Sequence, residues 1–507
     1  MTYVIGMDSS TTATKAVVWD RDGRAVSEGR AEFDLSIPHP GWHEQDAEDW
    51  WRSTKVALRQ AAQGVSASEI EAIGITHQRE TFACLGEDGT PLRPAMLWLD
   101  ARAVEEVEEH GDEEIHRITG KPPDTTPAFY KLLWSRAHEP EVLERTAKVV
   151  DVHAFLVKHL TGEWRTTWAC ADPLGLVDME TFDWSDEVLH RAGLERGQLC
   201  ELDAPGAVMG ELRSDVAEEL GLPAGIPIVG GAGDGQSAGL GANITGPGRA
   251  YLNLGTAVVS GTYSDTYAWG REFRALSGPI PKTYTFETLL QGGTYTVSWF
   301  VSKLAGMETS RLGLDLSDEE VLEAAAARLE PGADGLLAVP YWNQSQTPNW
   351  DDAARGVILG LRGHHGKSHL FRAILEGIAF EQRLLTDGVV AARDQPIDAY
   401  LALGGGSRSA LWCQIIADVT RRPVTACREV ETTSLGAAMH AAAAIGWCDS
   451  IAQAAQSMSG EGASYEPEAR GVELYERLFE VYRDIYPSVS ELFPRLRAAL
   501  RTDETGD

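Results

Sequence analysis

Three short turns hold the residues of this sequence best suited to chemistry. Asp8-Ser9-Ser10-Thr11-Thr12, Gly255-Thr256 and Gly404-Gly405-Gly406-Ser407 each follow an apolar run. Glycines and small hydroxyl residues at a strand end leave backbone N–H groups unpaired and let the backbone approach a phosphate closely. Asp8 and Asp234 both stand just beyond an apolar run and beside small residues. A carboxylate so placed can partner magnesium or act as a general base. Arg79 and Glu80 follow another apolar run, and an adjacent cation and anion offer directed hydrogen bonds to several hydroxyls of a polyol. Trp42 could stack on a sugar face. Each feature also has a plain structural reading: a tight turn, an N-cap aspartate, a surface ion pair, a core tryptophan. There is no Walker A loop, no Gly-x-Gly-x-x-Gly fingerprint and no protein-kinase signature, so a bound nucleotide would need another architecture. His364-His365 reads as a solvated pair in a polar loop, and no histidine cluster has metal-ligand spacing.

The elements that must position these residues follow from local pattern. Strands are expected at Tyr3–Asp8, Lys15–Asp20 and Ala25–Leu35, with a hairpin turn at Asp22-Gly23. Asp46 or Gln45 is placed to cap a helix through Trp50, Val56 and Ala62, and Ile70–Thr76 reads as a buried strand. Residues 103–200 read as largely helical. From Ile226 the pattern repeats the opening: strand, small hydroxyl-rich turn, strand. This suggests an internal duplication with a boundary near 245, hence residues 1–245, 246–490 and a tail at 491–507. A helix at 368–393, a strand at Ala399–Leu403, helices from Ser409 and from Thr433-Ser434, and a helical tail ending in a frayed Thr502–Asp507 complete the reading.

With 507 residues, the chain is too long for one compact core. Its net charge of −32 argues against nucleic acid and anionic membranes as partners, and leaves ATP only sites where backbone N–H groups and a few cations cancel the field locally. No apolar run approaches the roughly 18–20 residues of a membrane span, and the first residues read as a strand and not as a signal peptide. The six cysteines are scattered and are expected as reduced thiols in a cytoplasmic protein.

In this order the motifs resemble the FGGY family of carbohydrate kinases, over nearly the whole chain. Asp8 to Lys15 is similar to the family's first phosphate loop, and Gly41 to Asp46 to its early sugar-side loop. Gly233-Asp234-Gly235-Gln236 resembles the segment of the catalytic aspartate, and Gly255-Thr256 the second phosphate loop. Gly404 to Ser407 with Leu411 to Asp418 resembles the adenosine-side signature, and Glu431 to Ala438 the helix after it. The resemblance implies an α/β protein of two actin-like (ribonuclease H-like) ATPase domains around a central cleft. It implies transfer of the γ-phosphoryl group of ATP, with Mg2+, to a small sugar or polyol. By the same resemblance Asp234 would be the base and Asp8 would position magnesium. Thr11, Thr12, Lys15, Gly255 and Thr256 would cradle phosphates. Gly405, Gly406 and Ser409 would lie on the adenosine side, and Arg79, Glu80, Trp42, Asp100 and Gln236 on the substrate.

The resemblance divides over the substrate. His77-Gln78-Arg79-Glu80-Thr81 is similar to glycerol kinases, whereas Glu44 to Trp51 and Ser409 to Trp412 look more like xylulokinases. Gly235 stands where glycerol kinases carry Gln and xylulokinases Asn. Leu99 replaces a polar residue, and the stretch Thr126 to Lys131 lacks the glycerol-kinase tyrosine in register. These losses are expected to leave room for a different or larger substrate. A pentulose such as D-xylulose is the expected substrate, with glycerol or another polyol as the alternative. An inactive nucleotide-dependent sensor on the same fold is the reading from another class, and a homodimer is left open.

Overall fold

Asp20 shows how the sequence shapes the first strands. Its Oδ1 accepts the N–H groups of Asp22 and Arg24, both at 2.9 Å, while Gly23 takes φ +66°. This turn joins Ala13–Trp19 to Ala25–Glu32. Asp46 then caps Ala47–Ala62 by accepting the Glu48 N–H at 3.0 Å, and the helix buries Trp50, Ala57, Leu58 and Ala61 on one side. The computed structural model describes residues 1–306 and 316–500. The expected frayed end, Thr502–Asp507, lies outside them.

Two mixed sheets organise the chain. In the first, Tyr3–Ser9 runs antiparallel to Ala13–Trp19 and parallel to Ile70–His77, which is parallel to Pro227–Gly233. Ala25–Glu32 and Val208–Glu211 form its edges. In the second, Gly248–Leu254 runs antiparallel to Val258–Ser264 and parallel to Ile397–Leu403, which is parallel to Val424–Cys427. Tyr284–Leu290 and Arg274–Ser277 extend one side, and Glu461–Tyr465 closes the other. The core pairing is the same in both sheets, so the echo in the sequence is a duplication of topology.

Residues 103–200 do hold a series of helices, Val104–His110 to Asp186–Ala192, but also the short strands Lys148–Asp151 and Arg165–Thr167. The strands Arg274–Ser277 and Tyr284–Leu290 were not foreseen. At the far end Leu492–Leu500 is helical, and its Phe493 joins the second sheet's core.

The helix Thr432–Ala444 belongs to the second half in chain order yet lies on the first sheet. Its Leu435, Ala438 and Met439 pack with Val4, Val17, Trp19, Ala72 and Val229. Glycine permits this approach: a Cβ at Gly6 would stand 1.9 Å from the Ser434 carbonyl oxygen, and one at Gly74 1.9 Å from that of Ala437. The same helix meets Asp234–Gly241 with backbones touching, through Gly241 against Thr432 and Gly436 against Ser237. Trp19 Nε1 donates to Ser434 Oγ at 3.0 Å, and Ser434 Oγ donates to the Gly6 carbonyl at 2.8 Å. All six cysteines are free. No helix among the described residues is long and apolar enough to cross a membrane.

Candidate active site

The parallel strands of the first sheet end together, and their C-terminal ends deliver Asp8, then Gln78 to Glu80, then Asp234. This is where open α/β sheets place their ligands. Asp8 lies opposite Lys15 and Thr76 in the ladder. Its Oδ1 is buried without a hydrogen-bond partner. Burial pushes the Asp8 carboxyl well above its ordinary range, and the nearby Asp234 and Glu431 push it further, against the pull of Lys15. Lys15 itself pairs with Glu431 at 2.6 Å. An orphaned carboxylate oxygen among further carboxylates is a fitting donor set for a divalent cation.

Asp234 opens its helix and keeps its side chain 38% exposed. Its Oδ1 accepts the Gly235 N–H at 2.7 Å and forms an ion pair with Arg79, whose Nε lies 2.8 Å away. Oδ2 has no protein donor among the described residues. Arg79 lies flat across the glycines flanking Asp234: a Cβ at Gly233 would be 2.5 Å from Arg79 Cγ, and one at Gly235 3.1 Å from its Cζ. Beyond Asp234 the guanidinium meets the second half of the molecule. Arg79 Nη1 donates to Glu287 at 3.1 Å (Oε1) and 3.0 Å (Oε2). Arg274 also pairs with Glu287 Oε1, and Tyr251 donates its hydroxyl to Oε2 at 2.8 Å. Arg274 Nη1 donates to Glu80 Oε1 at 3.1 Å. Burial alone would raise Glu287, but Arg79 and Arg274 outweigh it and hold the carboxyl at about 2. At Glu80 burial wins over Arg274 and Arg79 and raises the carboxyl. Glu80 adopts φ +58°, a left-handed backbone that costs a non-glycine residue on the order of 1 kcal/mol or more.

On the second sheet the equivalent strand ends present backbone. Gly255-Thr256 is braced by the Thr294 N–H on the Gly255 carbonyl (2.8 Å) and the Tyr295 N–H on that of Thr256 (3.2 Å). Gly404 takes φ +80°, and a Cβ there would strike Asn253 Oδ1 at 2.5 Å. Gly406 is held by Trp412 and Leu254, whereas nothing lies within 4 Å of where a Cβ on Gly405 would stand. Gly405 is thus a glycine with open space above it. On the first phosphate-type turn Thr12 is exposed, while Thr11 Oγ1 accepts from Trp98 Nε1 at 3.0 Å.

Several expected ligand contacts have protein partners, although Gln236 Oε1 is buried without one. Asp100 is wholly buried, with its oxygens taken by Arg102 and the His43 N–H. Trp42 stacks under the Arg102 guanidinium at 3.8 Å. Gln236 Nε2 donates to the carbonyls of Ala169 (3.1 Å) and Ser277 (3.4 Å). Ser409 caps Ala410–Thr420 and donates to Glu323 at 2.7 Å. The expected room at Gly235 is absent: a Cβ there would stand 2.7 Å from Glu287 Oε2. The carboxylate occupies the place of the missing side chain. His364 and His365 do gather with Asp334. However, His365 Nδ1 accepts the Arg362 N–H at 3.0 Å, which keeps the proton on Nε2 in the neutral ring, so the trio is a poor metal set. Arg274 and Glu287 escaped the sequence reading. The available signal was a lone carboxylate in Tyr284–Leu290, a strand buried along its whole length.

Known proteins match the chain along most of its length. The model of the FGGY family of carbohydrate kinases, N-terminal domain, matches residues 3–241, and that of its C-terminal domain matches residues 250–445. The chain is 30% identical to the xylulose kinase of Escherichia coli K12 over 96% of its own length and 99% of the relative's. It is 33% identical to the glycerol kinase of Thermococcus gammatolerans, over 89% and 90% respectively. The solved xylulose kinase from Rhodospirillum rubrum superimposes with a TM-score of 0.89 at 27% identity, covering 97% of this chain and 99% of that one.

Proposed function

The chain belongs to the FGGY family of carbohydrate kinases, and from that premise we propose that it phosphorylates a pentulose of the D-xylulose type with ATP. The observation that carries the mechanism is the one-sided holding of Asp234. The Gly235 N–H bond and the closest approach of Arg79 both fall on Oδ1, so Oδ2 is left to accept the proton of the attacking hydroxyl. That hydroxyl oxygen then bonds to the γ-phosphorus as the bond to the β–γ bridging oxygen breaks, and ADP leaves. Asp8 would hold magnesium, whose chemistry is to neutralise the charge gathering on the phosphate oxygens.

The chain's own backbone does the remaining work on the donor side. The N–H groups of the turns at Ser9–Thr12 and Gly255-Thr256 would cradle the phosphates, and the open face of Gly405 would admit the nucleoside. Arg79 and Glu80 would face acceptor hydroxyls while anchored from behind by Glu287 and Arg274. Division near residue 245 would assign acceptor chemistry to the first half and nucleotide to the second. A polyol such as glycerol is the second reading, favoured by the Arg79-Glu80 pair shared with glycerol kinases. The test is ADP release with D-xylulose, D-ribulose, L-ribulose, erythritol and glycerol, with the phosphorylated product identified. The highest kcat/KM for D-xylulose supports the proposal, and a preference for glycerol replaces it with the second reading.

A further inference from the structure

We infer that Glu287, supplied by the second half of the molecule, is a positioning residue that keeps Arg79 from capturing both oxygens of Asp234. The inference rests on the reading of Asp234 as the base. Asp234, Arg79, Glu287, Arg274 and Glu80 form one chain of alternating charges that crosses between the sheets. Asp234 and Arg79 come from strand ends of the first sheet, Glu287 and Arg274 from strands of the second.

The geometry of Arg79 carries the argument. An arginine beside a carboxylate prefers the two-pronged pairing that engages both oxygens. Here its hydrogen bonds go to Glu287, and its closest approach to Asp234 is Nε to Oδ1 at 2.8 Å. The Nη1 nitrogen is drawn away by both Glu287 oxygens. Glu287 is itself immobile, being fully buried and held by Arg274 and the Tyr251 hydroxyl. Its carboxyl, held at about 2, stays charged at every pH at which the enzyme would work. Gly235 belongs to the same device, because any side chain there would push Glu287 off Arg79. The side chain missing at 235 is therefore matched by the carboxylate that fills its place. Without Glu287, the guanidinium can turn its fork to Asp234, cover Oδ2 and stabilise the charged form of the base.

The experiment is steady-state kinetics against pH on the full chain, with Glu287→Gln, Gly235→Ala, Arg79→Gln and Asp234→Asn. Glu287→Gln should lower kcat by about 10²-fold, leave the ATP KM unchanged and move the acid limb of kcat/KM to lower pH. Gly235→Ala should do the same through a side chain that leaves every charge in place, and it carries the test should Glu287→Gln not fold. In an Arg79→Gln background the Glu287→Gln effect should vanish, since the residue acts through Arg79. A purely structural Glu287 would lower stability in both backgrounds and leave the acid limb where it was, which would overturn the inference. So would parent-like kcat and acid limb in both Glu287→Gln and Gly235→Ala while Asp234→Asn is inactive, an outcome that spares the base. Normal turnover of Asp234→Asn would remove the base and the inference together.

Discussion

The two sheets repeat one topology but load it differently. At the end of its leading strand the first sheet has Asp8, and the second has Asn253 at the corresponding place. After the neighbouring parallel strand the first has Arg79 and Glu80, the second a run of glycines, Gly404 to Gly406. After the last parallel strand come Asp234 and Glu431, each at a helix start. On the proposed reading the first half would meet a ligand mainly with charged side chains and the second mainly with backbone, Glu431 apart. The difference would suit the two ligands of a carbohydrate kinase. A neutral acceptor must be oriented and deprotonated, which takes side chains, whereas phosphates are already charged and can be held by N–H groups on a protein that has few cations to spare.

The hardest test of this contrast is Asp234→Asn, which keeps the shape and removes the base. We expect kcat to fall by about 10²–10⁴ with MgATP affinity little changed, and near-normal turnover would break the comparison at its centre. Next in size is Glu80→Ala. It should raise the acceptor KM by more than about tenfold, because a hydroxyl of the acceptor would lose a buried partner at about 1–3 kcal/mol, while ATP binding without sugar stays as it was. Unchanged acceptor KM values would move the acceptor site elsewhere.

A smaller, opposite effect is expected across the molecule. Gly405→Val has room for its side chain and no left-handed backbone to violate, so melting temperature and acceptor KM should hold while the ATP KM rises several-fold. An unaltered ATP KM would show that no nucleotide passes that face.

The smallest effect sharpens the contrast in how each region buries a carboxylate. Glu287 meets arginines and stays charged. Glu381, in the second half's core, accepts the hydroxyls of Tyr341 and Tyr482, and burial raises it to about 7. The folded protein thus binds a proton there that the unfolded chain, near 4.5, releases. The contribution of Glu381 to stability should fall as pH rises from about 4.5 to about 7 and then level. Glu381→Gln should remove this slope and gain a few degrees in melting temperature above neutrality, which thermal unfolding across that pH range would read.

Much of the site was legible because its signals are local. Asp46 as a cap, the turn at Asp22-Gly23 and the glycine-rich strand ends depend on neighbouring residues only. Asp8, Arg79, Glu80 and Asp234 could be singled out from type and place. What could not be read was who holds them. Arg274 reaches Glu80 across a separation of 194 residues, and Glu287 reaches Arg79 across 208. No local pattern encodes such a pairing. Gly235 shows the limit: the sequence reveals a missing side chain, but not that a carboxylate from another strand fills the space. The partners of Asp100 and Ser409, Arg102 and Glu323, were hidden for a related reason.

The placement of Thr432–Ala444 on the first sheet also bears on how the chain is made. When a ribosome has released the first half, the face formed by Val4, Val17, Trp19, Ala72 and Val229 has nothing to cover it. Its cover arrives only after about 200 further residues, roughly 10–40 s later at ordinary elongation rates of about 5–20 residues per second. Through that interval the nascent chain carries a bare apolar face beside a finished set of strands, and this is when it is most open to aggregation and to capture by chaperones.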